Sequence, residues 1–485
     1  MSRLHLDLTD HTGRAMSRRH ALRLVAVAGL GVLALAACGG GTAASPVAGT
    51  STSSAATGGG AASAATSTGA GATTGASVAK PAAQVSGSGA AAAIRFEMYS
   101  DKTNFDKWRE LAANLAKQEP SLQVTVAFIT DSYTKYETEM AGGTPPDIME
   151  FESKRMPTFA SRKTLYDLTA LAARSTTVKA EDFYTVDWDR SQWNGKLYIY
   201  PYESKPAVIF YNKALFDNKQ VPYPKYNWAD PKWTWDEFLS VAQKLSGSGA
   251  EQTFGYYHPT WWVYAQPYIW SNGGHMLDDQ RTKSMLDVPE DQTALQLLQD
   301  LIFKYRVAAG PADVKAGADK MFYAGRIGMY FNNNGWAPTL ALQPNLQWDV
   351  APVPLPPGKS IASTRAPADG YAVAAATKQI DAVWKAIDFL GSAESAKRAE
   401  GVPSRKAVAD SGDYALAKQP GINWKNYPDG LANARDEPVT TEFQEMDSMW
   451  GKQFDPYWQN KRTPKELAEA IAAPTVELLN KAIRS

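Results

Sequence analysis

Cysteine is almost missing from these 485 residues. Cys38 is the single one, and histidine is scarce too, with five. His5, His11 and His20 stand within the first 37 residues, which leaves His258 and His275 further on. Disulfides, thiolate catalysis and zinc sites built from several Cys and His ligands are all but excluded. An excess of charge is missing as well. Lys plus Arg and Asp plus Glu number 50 each, and the first 37 residues hold five Arg and two Asp. The remainder therefore carries 45 basic and 48 acidic side chains, a formal −3. No nucleic acid and no anionic membrane surface is expected as partner. The apolar run at residues 24–37 is too short to span a bilayer comfortably. Catalytic signatures are absent in the same way. Gly358-Lys359-Ser360 lacks the preceding glycine of a phosphate loop, Val353 standing in its place, and the prolines around it read as a turn. There is no Gly-x-Ser-x-Gly elbow. His258 and His275 read as pocket or loop residues before they read as bases or ligands. Asp278 and Asp279 read as a solvated turn. No cofactor and no metal is expected. Two carboxylates at a set distance suffice for glycoside hydrolysis, so an acid–base enzyme stays open at this point.

Arg14, Arg18, Arg19 and Arg23 precede the apolar run, and small residues close it at Cys38. A charged flank, a short apolar core and small residues form an export signal. SRRHALR resembles the twin-arginine export motif, with Ala21 where Phe is usual, and general secretion is the alternative. Leu35-Ala36-Ala37-Cys38 resembles the lipobox of bacterial lipoproteins, which implies cleavage before Cys38 and lipidation of its thiol. Residues 1–37 are thus expected to be an export signal. Residues 38–93, rich in Ala, Gly, Ser and Thr, are expected to form a flexible tether, because they cannot bury enough apolar surface to offset ordering. A glycosylated stalk is the other reading of that stretch.

At Ile94 the composition changes. IRFEMYS alternates as a strand does. Phe105, Trp108, Leu111, Ala112 and Leu115 follow at helical spacing, and Pro120 ends the helix. A strand at residues 122–130, a helix at 132–141 and a strand at 147–151 complete a β-α-β-α-β order, which predicts a parallel sheet covered on both faces. Thr234 with Glu237, and Thr463 with Glu466, spell capping boxes at two helix starts. Pro474 is expected to kink or divide the last helix.

Aromatics are abundant: 15 Trp, 22 Tyr and 16 Phe. Taken singly, most Trp read as core. As a group beside Asn and Gly, Trp261, Trp262, Tyr264, Tyr268, Trp270 and Trp336 favour a carbohydrate ligand. A ring face matches the flat C–H face of a pyranose, and polar neighbours match its hydroxyls.

Several segments, in order, resemble family 1 extracellular solute-binding proteins, the sugar-binding subunits of ABC importers. They are PPDIMEF, WNGKLYIYPYESKPAVIFYNKALF, WTWDEF, AGRIGMYFNNNGW, DGYAVAAATK and GVPSRKAV, and the resemblance spans residues 94–485. It implies an α/β, two-lobed periplasmic-binding-protein-like fold of type II, each lobe a mainly parallel sheet flanked by helices, with the ligand cleft between them. The lobes are expected at 94–203 plus 354–398 and at 204–353 plus 399–485. The ligand site is expected on the loops at strand ends. These supply Tyr99, Ser100, Asp101, Phe151, Glu152, Ser153, Tyr202 and Glu203 on one side. Trp261, Trp262, Trp270, Asn272, Asn333, Asn334 and Trp336 come from the other, and Asp369, Gly370, Tyr371 and Arg405 complete the rim. The implied protein is a lipid-anchored monomer that delivers sugar to ABC permease subunits and touches the membrane through its anchor alone, at the outer face of the cell membrane or in the periplasm. A secreted glycosidase or lyase is the first rival. A binder of a glycerol phosphodiester or polyol phosphate, drawing on Lys154, Arg155, Lys205 and Arg405, is the second. A receptor-like sensor domain is the third.

Overall fold

In the computed structural model, residues 91–484 are described, apart from positions 100, 101, 131, 250, 251, 436, 438 and 439. The export signal, Cys38 and the tether as far as residue 90 lie outside the described residues, as do Ser100 and Asp101, while Ala92 and Ala93, expected in the tether, already belong to the first strand because they pair with the neighbouring strand.

The alternation read at Ile94 becomes β1 (Ala92–Tyr99), in which Ile94, Phe96 and Met98 face one core. They meet Leu111 and Leu115 of α1 (Lys102–Gln118). Next come β2 (Leu122–Ile129), α2 (Ser132–Ala141) and β3 (Ile148–Glu152), close to the limits expected from sequence. β1 pairs in parallel with β2 and β3, as the β-α-β order requires. On β3, Ile148 faces the α1 side, while Met149 and Phe151 face a third cluster with Tyr136 of α2 and Phe159. Helices therefore cover both faces of this sheet.

The chain then builds β4 (Ile199–Ser204), crosses at Lys205 and Pro206, and enters a second sheet through β5 (Ala207–Asn212). That sheet adds β6 (Phe254–Tyr257), β7 (Ala308–Ala309), β8 (Ile327–Asn333) and β9 (Trp348–Ala351) in the order β9-β5-β8-β6-β7. The chain returns as β10 (Ala368–Val373) and β11 (Val402–Pro403), which give the first sheet the order β11-β4-β10-β3-β1-β2. It passes back to the second core by Tyr414. The α/β two-lobed architecture stands. The expectation of a mainly parallel sheet in each lobe does not hold, because three of the five pairings in the first sheet and two of the four in the second are antiparallel. β10 runs antiparallel to β3 and β4, β11 antiparallel to β4, and β5 antiparallel to β8 and β9. These are strands at which the chain changes lobe, so no helical crossover fixes their direction.

Caps set the helix starts in the second lobe. Thr234 accepts from Glu237 N–H at 3.2 Å before α3 (Trp235–Leu245). Residues Pro289–Phe303 form α4 and Phe443–Trp458 form α5. At α6 (Pro464–Arg484) the box closes both ways: Thr463 N–H donates to Glu466 at 2.8 Å and Glu466 N–H to Thr463 Oγ1 at 3.2 Å. Pro474 does not divide α6. Leu467, Ile471, Leu478 and Leu479 anchor both halves in one core, and Thr475 accepts from Trp450 Nε1 at 2.9 Å. That packing outweighs the roughly 3 kcal/mol an interior proline costs.

Candidate functional site

Sheet direction decides what gathers where. β1, β3 and β4 end at the same edge of the first sheet, and β10 begins there, with Asp369 in register with both Glu152 and Glu203. A bulge falls between Asp369 and Gly370. A Cβ on Gly370 would lie 2.2 Å from the Tyr200 carbonyl oxygen, so only glycine lets β10 and β4 approach this closely. In the second sheet, β6 and β8 end toward the crossing, where Asn333 pairs with Ala207. The carboxyl ends of the parallel strands of both sheets thus face the crossing segments.

Two adjoining cavities lie at the first edge. One, of about 410 Å³, is lined by Tyr99, Lys107, Trp108, Phe128, Tyr202, Glu203, Arg398 and Glu400 among others. The second, of about 490 Å³, is lined by Tyr133, Phe151, Glu152, Arg155 and Asp369. Tyr99, Thr130, Glu150 and Lys205 belong to both. Tyr99 is 59% and Phe128 41% exposed, unusual for large rings and a sign of a surface meant to be covered. Trp108 packs edge-on against Tyr202 at 5.0 Å and closes the wall behind them.

The polar part is a network of acids and bases. Lys205 Nζ lies 2.5 Å from Asp369 and 3.3 Å from Glu203. Burial opposes its charge, yet Asp369, Glu203 and Glu150 hold its pKa well above the usual lysine value. Glu203 also accepts from Glu400 N–H and Gly401 N–H at 2.8 and 2.9 Å, tying down the loop before β11. Burial disfavours the charged form of Glu152, but Lys154 at 2.9 Å, together with Arg155 and Lys205, holds its carboxyl down at about 2. That carboxylate is 35% exposed, so the pairing rather than its burial decides its state. Among the described residues, Glu150 has no such cation at ion-pair distance, and it accepts a hydrogen bond from Tyr99 N–H. Burial, with Asp369 and Glu203 nearby, pushes it up to about 8 against the pull of Lys205.

Of the residues expected at the site, Tyr99, Phe151, Glu152, Tyr202, Glu203 and Asp369 are brought together on these cavities. Ser153 is buried beside them. Gly370 and Tyr371 shape the strand behind, Tyr371 within the core. From the second lobe, Trp261 reaches the boundary: Lys154 Nζ lies 5.2 Å and the Arg365 guanidinium 5.5 Å from its ring centre. Its Nε1 shares Asp447 with Trp262, both at 2.7 Å, but Trp262 itself is core. Asn333 caps the turn after β8, accepting from Gly335 N–H, and Asn334 is fully buried. Trp336 packs among Phe210, Phe322 and Tyr330. Trp270 and Asn272 lie elsewhere. Asn272 donates to the Glu290 carbonyl in the first turn of α4, and Trp270 lines two other grooves. Arg405 bonds Gly391 O and the Tyr200 hydroxyl at 2.7 Å each and lines a separate groove. His258 is a core residue. It bonds the Tyr264 carbonyl and stacks on Phe331, and burial pushes its pKa down to about 4.

Glu150, Trp108, Phe128, Thr130 and Tyr133 were not expected here. Glu150 left a trace in the sequence, a carboxylate inside the apolar strand IMEFE. Trp108 and Phe128 left none, because a stripe residue and a strand residue both read as core. Among the described residues, no cluster of three or more His, Cys, Asp or Glu could hold a metal. The site joins open ring faces to donors and acceptors, which suits a polyhydroxylated molecule.

Two lobes crossed repeatedly by the chain, with cavities at the strand ends of the first sheet beside the crossing, define the architecture of a small-molecule binding protein. Residues 99–397 match the bacterial extracellular solute-binding protein family, and the chain belongs to it. In fold it is similar to an ABC substrate-binding protein of Listeria monocytogenes solved with cycloalternan. The TM-score is 0.70 at 23% identity, covering 81% of this chain and 99% of that one. The GacH receptor of Streptomyces glaucescens, solved unliganded and with acarbose, gives 0.68 at 19% identity, covering 80% and 99%. The sugar-binding protein MalE of Xanthomonas citri gives 0.70 at 19%, covering 80% and 98%. Among the described residues, no helix is long and apolar enough to cross a membrane.

Proposed function

We propose that this protein captures a sugar or oligosaccharide in the cleft, closes its lobes over it, and presents the closed form to the permease of an ABC importer. Lipidated Cys38 and the tether at 38–93 hold it outside the cell membrane, and it acts as a monomer. The observation that carries the reading is the pair of exposed rings, Tyr99 and Phe128, beside the Glu150–Lys205–Asp369 network. Sugars named for proteins of the same fold, cycloalternan and acarbose, support it. The polyol phosphate rival has less behind it. Lys154, Arg155, Lys205 and Arg405 each lie within ion-pair distance of a carboxylate, so a phosphate would have to displace an acid to find a cation.

Closure follows from differential affinity: a ligand touching both lobes lowers the closed state's free energy alone. Thermal unfolding against mono- and oligosaccharides and glycerol phosphates tests the reading. A ligand at 100 times its Kd adds about 2.7 kcal/mol. A shift with a sugar recovered intact supports capture. A shift with a phosphorylated polyol alone, or a sugar recovered cleaved, overturns it.

A further inference from the structure

Lys205 faces three carboxylates. Its Nζ pairs with Asp369 Oδ2 and Glu203 Oε1, and its charge also reaches Glu150. The other cations of the cleft are engaged. Lys154 and Arg155 are on Glu152, Lys107 is on Glu400, and Arg398 is on Glu110. Among the described residues Lys205 is the one cation paired with Asp369 and Glu203, and no cation pairs with Glu150, which stays largely protonated at about pH 7 and can ionise fully only beside a further cation. Two further observations show where a ligand would supply it. Asp369 is only 6% exposed and lines the cavity, and among the described residues its Oδ1 has no hydrogen-bond partner. Glu150 lines both cavities and accepts a neutral backbone N–H from Tyr99 at 2.8 Å.

We propose that the cleft selects an amino sugar, a saccharide whose free, protonated amine lies between Asp369 Oδ1 and the Glu150 carboxylate while its ring rests on Tyr99 and Phe128. This rests on the carbohydrate reading above. Burial and the neighbouring acids push Glu150 up to about 8 and Asp369 up to about 6. An ammonium between them would reverse both shifts. Neutral hydroxyls can donate to the same oxygens, but only a cation favours the ionised form of Glu150, and a bond to a charged donor is roughly twice as strong. An N-acetyl group removes the charge at constant skeleton, which makes the claim testable.

Calorimetric titration at about pH 7 with matched sets decides it: short glucosamine oligomers, their N-acetylated forms and cellodextrins of equal length, with the three monosaccharides beside them. The expected result is binding of an aminated member at least about tenfold tighter than both counterparts, falling to about threefold or less in Glu150→Gln and in Asp369→Asn. Should Asp369→Asn not fold, Glu150→Gln decides. If aminated sugars bind no tighter than neutral ones, or the preference survives Glu150→Gln, this proposal is overturned and the carbohydrate reading stands. If none of these sugars binds, this proposal is overturned, and the carbohydrate reading falls only if the wider saccharide panel also fails to shift unfolding.

Discussion

Tyr99 and Phe128 stand at the rim of the first sheet with their rings in the open, whereas Trp262, Trp450 and Trp458 are sealed in the core of the second lobe. Core and rim put the same residue class to different use, Trp261 at 36% exposure being the second lobe's ring outside its core. In the second lobe, Trp262 meets Trp450 at 4.8 Å, and Trp458 meets Tyr457 at 4.7 Å, so aromatic richness there fills volume. In the first lobe, two rings leave the core and border a charged network. A run of tryptophans in sequence therefore points to a well-packed lobe, and the ligand-facing rings are those that burial fails to claim.

The sharpest way to break this contrast is mutation on each side of it. Trp262→Ala should destabilise by about 3–5 kcal/mol through the cavity it leaves, seen as a lower denaturation midpoint. Lys205→Met strands Asp369 and Glu203. It should cost about 2 kcal/mol, below the value for a fully buried pair because the Lys205 side chain is 26% exposed. Tyr99→Ala should leave stability within about 0.5 kcal/mol of the parent, as an exposed residue does, yet weaken sugar binding about tenfold by calorimetry. A large stability loss in Tyr99→Ala, with binding unchanged, would reverse the contrast.

The smallest expected effect concerns pH. Glu150 has its pKa raised from 4.5 to about 8 in the folded state. Between those values the folded state holds a proton that the unfolded state has released, so this group's contribution falls as pH rises across the window. Asp369 acts in the same sense from 3.8 to about 6. Glu152, held at about 2, acts in the opposite sense, and its contribution fades as pH drops below 4.5. Glu150→Gln should flatten the decline between pH 5 and about 8 in a melting series. An unchanged slope would place the titration elsewhere, Asp291 being another acid raised to about 8.

The first three strands and both threonine caps were legible because each is written in a short window, as period-2 alternation or a four-residue box, although the glutamate half of the box forms only at Glu466. The cleft was legible in part. Strand-end logic reached Tyr99, Glu152, Tyr202, Glu203 and Asp369, since all end or begin strands at one edge. It missed Glu150, two residues inside β3, because the rule looks past the end of a strand. It missed Trp108 and Phe128 because periodicity reports that a residue faces the sheet, not that the sheet ends beside it. Arg405 looked like rim in sequence, but Gly391 and Tyr200 hold its guanidinium in another groove. The meeting of Asp369 with Glu152 and Glu203 depends on β10 returning from the second lobe, which no local pattern records.

The most direct test of the central claim is calorimetric titration of the protein and its Tyr99→Ala variant with the sugar that shifts unfolding, followed by recovery of that sugar. One-to-one binding in the parent, about tenfold weaker binding in the variant and sugar recovered intact are predicted. Equal binding by both proteins, or a cleaved sugar, would contradict it.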